Sequence, residues 1–211
     1  MIIRKLFKFE NAHIVRNCST ERCSKNIHGH SYKVEILLES KFLDNGDMVL
    51  DFGLFKPYIK DIIDSFDHSI IYWKKEDLDY IQFVHKYSQR WIELPFNPSA
   101  EQLSKLFFML CAVILGKTKL NNNEQDVRLH SVIVHETDTG YAQCFLKDIT
   151  SVSEKVNYYD ILEIIRGVFL PEIKFSDQIK NEWSDPLMFD KMLGLDPIVF
   201  ENKLVELQIK R

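Results

Sequence analysis

Three histidines carry the clearest chemical signal in the chain. His28-Gly29-His30 stands at the start of a segment, His30 to Glu39, that reads as a β-strand. Residues i and i+2 of a strand point to one face, so both imidazoles can meet a single metal ion, and Gly29 leaves room for the approach. His13 closes an earlier strand-like segment, and pairing of the two strands would bring a third imidazole into range. Three histidines with a vacant position form the ligand pattern of a catalytic zinc site. A His-x-His pattern also arises by chance or as a cap, so the metal reading depends on that pairing.

Two thiols precede the pair. Cys23 lies five residues before His28 and Cys18 ten, in a polar, irregular loop. A thiol beside a dication gives up its proton more readily and can act as base or nucleophile. By count, the same two cysteines and two histidines would also fill a closed structural zinc site. Asp67-His68 sets an acid beside an imidazole, an arrangement that can fix a tautomer and relay a proton if a special turn lets neighbours meet. Otherwise it is a helix C-terminus with a favourable histidine. Glu136 ends the run Val132-Ile133-Val134-His135. It is either solvated or an anchor for a heterocycle presenting adjacent N–H donors, such as guanine or pterin. Cys111 and Cys144 read as core residues, and His85 and His130 belong to no constellation.

The elements that must hold these side chains follow from periodicity. Ile2 to Ile14 is a strand, and Tyr32, Val34 and Ile36 share one face of the second. Asp44-Asn45-Gly46-Asp47 predicts a hairpin, with Met48 to Phe52 as the returning strand. Phe55, Tyr58, Ile59, Ile62, Ile63 and Phe66 fall on one helical face, with Pro57 in the first turn. Residues 72 to 95 are charged, aromatic and partly helical. A second helix starts at Asn97-Pro98-Ser99-Ala100-Glu101-Gln102, capped by Asn97 or by Ser99, and runs to about Gly116. Val127 to Glu136 and Tyr141 to Lys147 are two more strands. Strands, two helices and strands again predict an α+β fold with an antiparallel sheet. Residues 150 to 211, with a helix near Tyr158 to Val168 and short amphipathic pieces around Pro186 and Pro197, read as an appended helical element. The domain boundaries are thus 1–149 and 150–211.

Composition narrows the class. The 211 residues, 45% hydrophobic and 27% charged, suit one soluble domain with a small appendage. The longest apolar run, Leu106 to Leu115, is half the length of a membrane span and reads as a core helix. The N-terminus lacks the pattern of a secretory signal, so the thiols are expected reduced and the protein cytoplasmic. With 27 basic residues against 31 acidic and no basic block, nucleic-acid binding has little support.

Taken in order, Phe9-Glu10-Asn11-Ala12-His13, Cys23-x4-His28-Gly29-His30, Asp51-Phe52-Gly53-Leu54-Phe55-Lys56, Asp67-His68, Pro98-Ser99-Ala100-Glu101 and His135-Glu136-Thr137 resemble one family. It is the group of 6-pyruvoyltetrahydropterin and 6-carboxytetrahydropterin synthases. The resemblance covers about residues 3 to 145, excluding most of 72 to 95, which enlarge the connection between the helices. It implies a tunnelling fold, in which sheets of several subunits close into a barrel, commonly a hexamer of two trimers with sites between subunits. It implies Zn2+ held by His13, His28 and His30, and Cys23 as the proton-abstracting thiolate. Asp67, His68 and Glu136 would be relay groups, with Glu136 also holding the pterin near Ser99 and Glu101.

The implied reaction is conversion of 7,8-dihydroneopterin triphosphate to 6-carboxytetrahydropterin with loss of triphosphate and acetaldehyde, on the route to queuosine. The pyruvoyl branch, in which triphosphate is eliminated and the side chain kept, is the alternative. A non-catalytic, zinc-stabilised binding protein is a further reading. So is an aldolase feeding folate synthesis, whose members use Glu where Cys23 stands, with Glu21 nearby. The Cys-to-His spacing falls between the two synthase branches, which leaves Cys18 as a rival for the reactive thiol.

Overall fold

The computed structural model describes residues 1–149 and 170–185. Its spine is a long antiparallel pair, β1 (Ile2–His13) with β2 (His28–Glu39). Alternation along both strands is strict. Phe9, Asn11 and His13 of β1 and Tyr32, Val34, Ile36 and Leu38 of β2 turn to the covered face, while Arg4, Lys8 and Glu10 face out. The three histidines therefore continue the line of core side chains at one end of that face.

β2 also pairs with β5 (Arg128–His135), and β5 with β6 (Tyr141–Cys144), both antiparallel. On the other flank, β1 pairs in parallel with β3 (Ser69–Trp73) through Asn11 and Ala12. β3 pairs in parallel with β4 (Trp91–Leu94), and β4 antiparallel with β7 (Lys174–Phe175). The described sheet thus runs β6-β5-β2-β1-β3-β4-β7.

A short helix, α1 (Glu21–Ser24), sits between the first two strands. Two long helices cover the sheet. α2 (Phe52–Phe66) is capped by Asp51, whose Oδ1 accepts the Gly53 amide at 2.7 Å, and buries Tyr58, Ile59, Ile62, Ile63 and Phe66. α4 (Ala100–Lys117) is capped by Ser99, whose Oγ accepts from the Gln102 amide. It is buried along most of its length, from Leu103 to Leu115 save Lys105. Each fully buried Leu or Phe on it stabilises the fold by roughly 1.5–3 kcal/mol. No helix among the described residues is long and apolar enough to cross a membrane.

Several expectations need correction. The sheet is mixed, because α3 (Leu78–Tyr87) joins β3 to β4 as a crossover, which parallel neighbours require. The stretch 72–95 is therefore the end of β3, a helix and a strand. Met48 to Phe52 forms no strand: both edges of β2 are already taken by β1 and β5. Asp44 closes the turn instead, its Oδ1 accepting the amides of Gly46 and Met48. Pro57 lies in the second turn of α2, where its missing N–H forgoes the bond to the Gly53 carbonyl.

In the tail, the helix expected at 158–168 and the pieces around Pro186 and Pro197 lie outside the described residues, apart from Asp185. What is described supplies β7 as well as a helix, α5 (Asp177–Glu182). Leu170, Ile173, Phe175, Ile179 and Trp183 join the same core as α2 and α4. The Trp183 indole N–H donates to Ser65 Oγ on α2 at 2.7 Å.

Candidate active site

The pairing of β1 with β2 sets His13 directly opposite His28 and Asn11 opposite His30. The imidazole rings of His13, His28 and His30 lie 4.5–5.2 Å apart, and one nitrogen of each falls within 4.8 Å of the others. Glycine suits the close approach of the strands at position 29, where a Cβ would stand 3.0 Å from the Asn11 carbonyl oxygen.

The ring nitrogens are sorted by their partners. His13 Nδ1 lies 2.7 Å from the Pro98 carbonyl and His28 Nδ1 3.0 Å from the Asn26 carbonyl, so each bears a proton there and leaves Nε2 a lone pair. Nε2 of His13 and of His30 are buried without a hydrogen-bond partner. Burial pushes His13 down to about 4, although the Pro98 carbonyl pulls the other way, and the charges of His28 and His30 lower it further. Burial also lowers His30. Convergent ring nitrogens, two of them buried and unsatisfied, suit a divalent metal, and three histidine ligands leave a coordination position open.

Glu136 follows β5 and reaches the same point. Its Oε1 is 3.6 Å from His13 Nε2 and 3.7 Å from His30 Nε2. The Tyr32 hydroxyl points at this carboxylate from 3.4 Å, and burial followed by the Glu136 charge raises the phenol well above its usual range. Tyr32 thus stays a proton donor.

Beside the histidines opens a cleft of about 360 Å³, lined by Cys18, Cys23, His28, Ser99, Glu101 and Glu136 together with Thr20 and Tyr141. Six residues singled out from the sequence therefore meet in one cleft. Both cysteines are partly exposed there, whereas Cys111 and Cys144 are buried, which raises both thiols, Cys144 to about 12.

Asp67 and His68 do not line this cleft. They form a pair on the surface, with His68 Nδ1 2.8 Å from Asp67 Oδ2 and the His68 side chain 76% exposed. The special turn is a left-handed backbone at His68, φ 52°. It is held by the His68 amide donating to the Glu10 carbonyl and the Glu10 amide donating to Asp67 Oδ1. A histidine in that region is uncommon and costs about 1–3 kcal/mol, a strain found preferentially at functional sites.

Sequence reasoning missed the supporting residues. Tyr32 shares the strand face of His28 and His30, a period-2 signal that could have found it. Arg16, whose guanidinium donates to the Ser24 carbonyl next to Cys23, and Asn97, whose Oδ1 accepts the Arg16 amide, left no such signal, because the residues that hold Arg16 are distant in sequence.

The family model described as 6-pyruvoyl tetrahydropterin synthase matches residues 2–146. The chain belongs to that family. Among relatives of the synthase group, 6-carboxy-5,6,7,8-tetrahydropterin synthases of two Helicobacter pylori strains are each 39% identical over 194 residues, 92% of this chain and 92% of theirs. The protein of the same name from Aquifex aeolicus is 30% identical, covering 67% of this chain and 95% of its own. The Helicobacter alignments are too long to leave out the whole tail, so those synthases share at least part of it. The crystal structure of an uncharacterized protein from Wolinella succinogenes has the same tunnelling fold, with a TM-score of 0.52, 20% identity, and coverage of 69% of this chain and 97% of that one.

Proposed function

We propose that the protein converts 7,8-dihydroneopterin triphosphate and water to 6-carboxy-5,6,7,8-tetrahydropterin with release of triphosphate and acetaldehyde, a step toward queuosine. The observation that carries this reading is the convergence of Cys23, His28, Ser99, Glu101 and Glu136 on one cleft beside three histidines. The names of the relatives favour the carboxy over the pyruvoyl product.

His13, His28 and His30 would hold Zn2+, although imidazole sites accept other divalent ions. When bound, the ion would supply Lewis acidity to the side-chain oxygens, polarising a carbonyl as it forms and acidifying the neighbouring C–H. Cys23 removes that proton from within the cleft. Glu136, reaching over the cleft floor, receives the adjacent N–H donors of the pterin, with Ser99 and Glu101 beside it. Tyr32 keeps the Glu136 oxygen oriented from behind.

His68, with its tautomer set by Asp67, returns a proton at the partner atom. Since this pair stands on the surface of the same chain, we infer that a neighbouring copy supplies it. Among the described residues, β6 and the stretch Ile2 to Phe9 of β1 keep an unpaired edge, the kind of edge that assembly covers. A hexamer of two trimers would do so. We take residues 1–149 as the synthase unit and 150–211 as its extension, and the free thiols suit the reducing cytoplasm.

The test is a product assay. Purified protein is incubated with 7,8-dihydroneopterin triphosphate, and the pterin and any acetaldehyde are identified by mass spectrometry. A 6-carboxy pterin with acetaldehyde is expected. A pyruvoyl product would keep the site and change the pathway, and no turnover by the metal-loaded oligomer would refute the enzyme reading.

A further inference from the structure

We propose that Glu76, acting through Arg16, positions the loop that carries Cys23, so that the enlarged connection between the helices helps to aim the thiol. The inference rests on the reading of Cys23 as the proton-abstracting group.

Within the loop the bonds are all short-range: the Ser24 hydroxyl donates to the Thr20 carbonyl at 3.0 Å, and the Asn26 side-chain amide donates to the Glu21 and Arg22 carbonyls. α1 is a single turn, and its preceding Thr20 makes no side-chain cap. One turn of helix is unstable alone. What ties it to the rest of the fold is β1's continuation: the Val15 amide donates to the Cys23 carbonyl at 3.1 Å, and Arg16 Nη1 donates to the Ser24 carbonyl at 3.0 Å. Two adjacent residues thus fasten the thiol-bearing residue and the one after it.

Arg16 is itself fixed on three sides. Its amide donates to Asn97 Oδ1 at 3.0 Å, and Asn97 Nδ2 donates back to its carbonyl. Both oxygens of Glu76 lie 2.9 Å from Arg16 Nε. The guanidinium also lies over the Tyr80 ring, 5.8 Å from its centre. Glu76 stands in the turn between β3 and α3, its amide bonded to the Trp73 carbonyl at 2.9 Å, and Tyr80 is on α3. Both therefore come from the connection whose purpose the sequence does not explain.

The burial separates this pair from an ordinary surface bridge. The Glu76 side chain is only 2% exposed. Exposed ion pairs contribute little, but a desolvated carboxylate needs its partner, and the charge-assisted bonds fix the fork's orientation. With Nε committed to Glu76, Nη1 is aimed at Ser24. The chain of contacts runs Glu76, Arg16, Ser24, Cys23, and then into the cleft.

The experiment compares full-length wild type with Glu76→Ala, Glu76→Gln, Arg16→Lys and Cys23→Ala. Steady-state turnover, bound zinc, thermal melting and the iodoacetamide alkylation rate of Cys23 are measured. Glu76→Ala and Arg16→Lys should lower kcat about 10–100-fold, the cost of a misplaced reacting group. KM should stay within about threefold and zinc content unchanged. Alkylation of Cys23 should change by about fivefold or more relative to Cys18. Glu76→Gln, which keeps the shape and an acceptor, should recover most of the activity.

Wild-type kcat and alkylation in both Glu76→Ala and Arg16→Lys would overturn the proposal, as would a loss that only tracks lost zinc or lost folded protein. If Glu76→Ala does not fold, Arg16→Lys carries the same comparison. Full turnover by Cys23→Ala would instead sink the reading of Cys23 as base, and the alkylation rates would still judge the brace.

Discussion

Asp67 and His68 are neighbours in sequence, yet the carboxylate and the imidazole meet at 2.8 Å because the His68 backbone enters the left-handed region at φ 52°. The carboxylate does two jobs: Oδ2 accepts from His68 and Oδ1 accepts the Glu10 amide. Asp67→Asn keeps an acceptor for Glu10 but loses the charge facing the imidazole. Turnover should fall by about 10²–10⁴-fold, the range for general acid–base groups. Circular dichroism should show the fold intact. Normal kcat in this variant would remove the pair from the mechanism.

The same residue sets a pH dependence. Partial burial pushes the Asp67 carboxyl up, but the Glu10 amide, His68 and Arg90 together hold it below its usual 3.8. A carboxyl lowered on folding contributes stability above the unfolded value, and that contribution fades as pH falls below it. The melting-temperature gap between wild type and Asp67→Asn should therefore be open at neutral pH and close below about pH 4. A gap that widens in acid would contradict the sign.

Gly29→Ala tests the approach of the two strands. The added methyl would sit 3.0 Å from the Asn11 carbonyl oxygen, a backbone atom with no rotamer to yield. A cost of about 1–3 kcal/mol is expected, as for other overpacked sites. Because His28 and His30 flank this residue, zinc retained after dialysis should fall as well. Unchanged metal content by elemental analysis would mean that the strands tolerate the shift.

Metal removal separates enzyme from zinc-stabilised binding protein. Cys23→Ala should abolish turnover and leave bound zinc unchanged, since the cysteines stand outside the histidine cluster. His28→Ala should release the ion. Chelation should stop catalysis while the sheet survives, because the core of α2 and α4 owes nothing to the metal. Unfolding on chelation would favour the closed structural site.

Trp183→Ala asks whether the tail is an ornament. The indole is 7% exposed, packs 5.1 Å from the Phe175 ring and bonds Ser65. Truncation should cost about 3–5 kcal/mol, seen as a lower urea midpoint at unchanged slope. A shift under about 1 kcal/mol would show the tail to be dispensable.

Legibility followed sequence distance. The His-x-His face, the Ser99 cap and the α4 core could be read because each depends on spacing within one element. Tyr32, Val34 and Ile36 were placed on the right face for the same reason. The crossover between β3 and β4 was missed although Ser69-Ile70-Ile71-Tyr72-Trp73 and Trp91-Ile92-Glu93-Leu94 are rich in β-branched and aromatic residues. Charged residues between them masked two short strands. The Asn45-Gly46 hairpin failed because both edges of β2, the strand it would fold back along, are taken by β1 and β5. Arg16 with Glu76, and Ser65 with Trp183, join residues 60 and 118 positions apart, and no local pattern announces such pairs.

The closing of β4 by β7 has a consequence for biosynthesis. Lys174 bonds Glu93 across a separation of 81 residues. On the ribosome, β4 emerges long before the strand that seals it, and at ordinary elongation rates the interval is roughly 4–16 s. During that time the nascent chain carries a bare strand edge, open to pairing with other chains. A message truncated ahead of Lys174 would release a product with that edge permanently uncovered. Nascent chains should therefore lean on ribosome-associated chaperones until the last fifth of the protein has emerged.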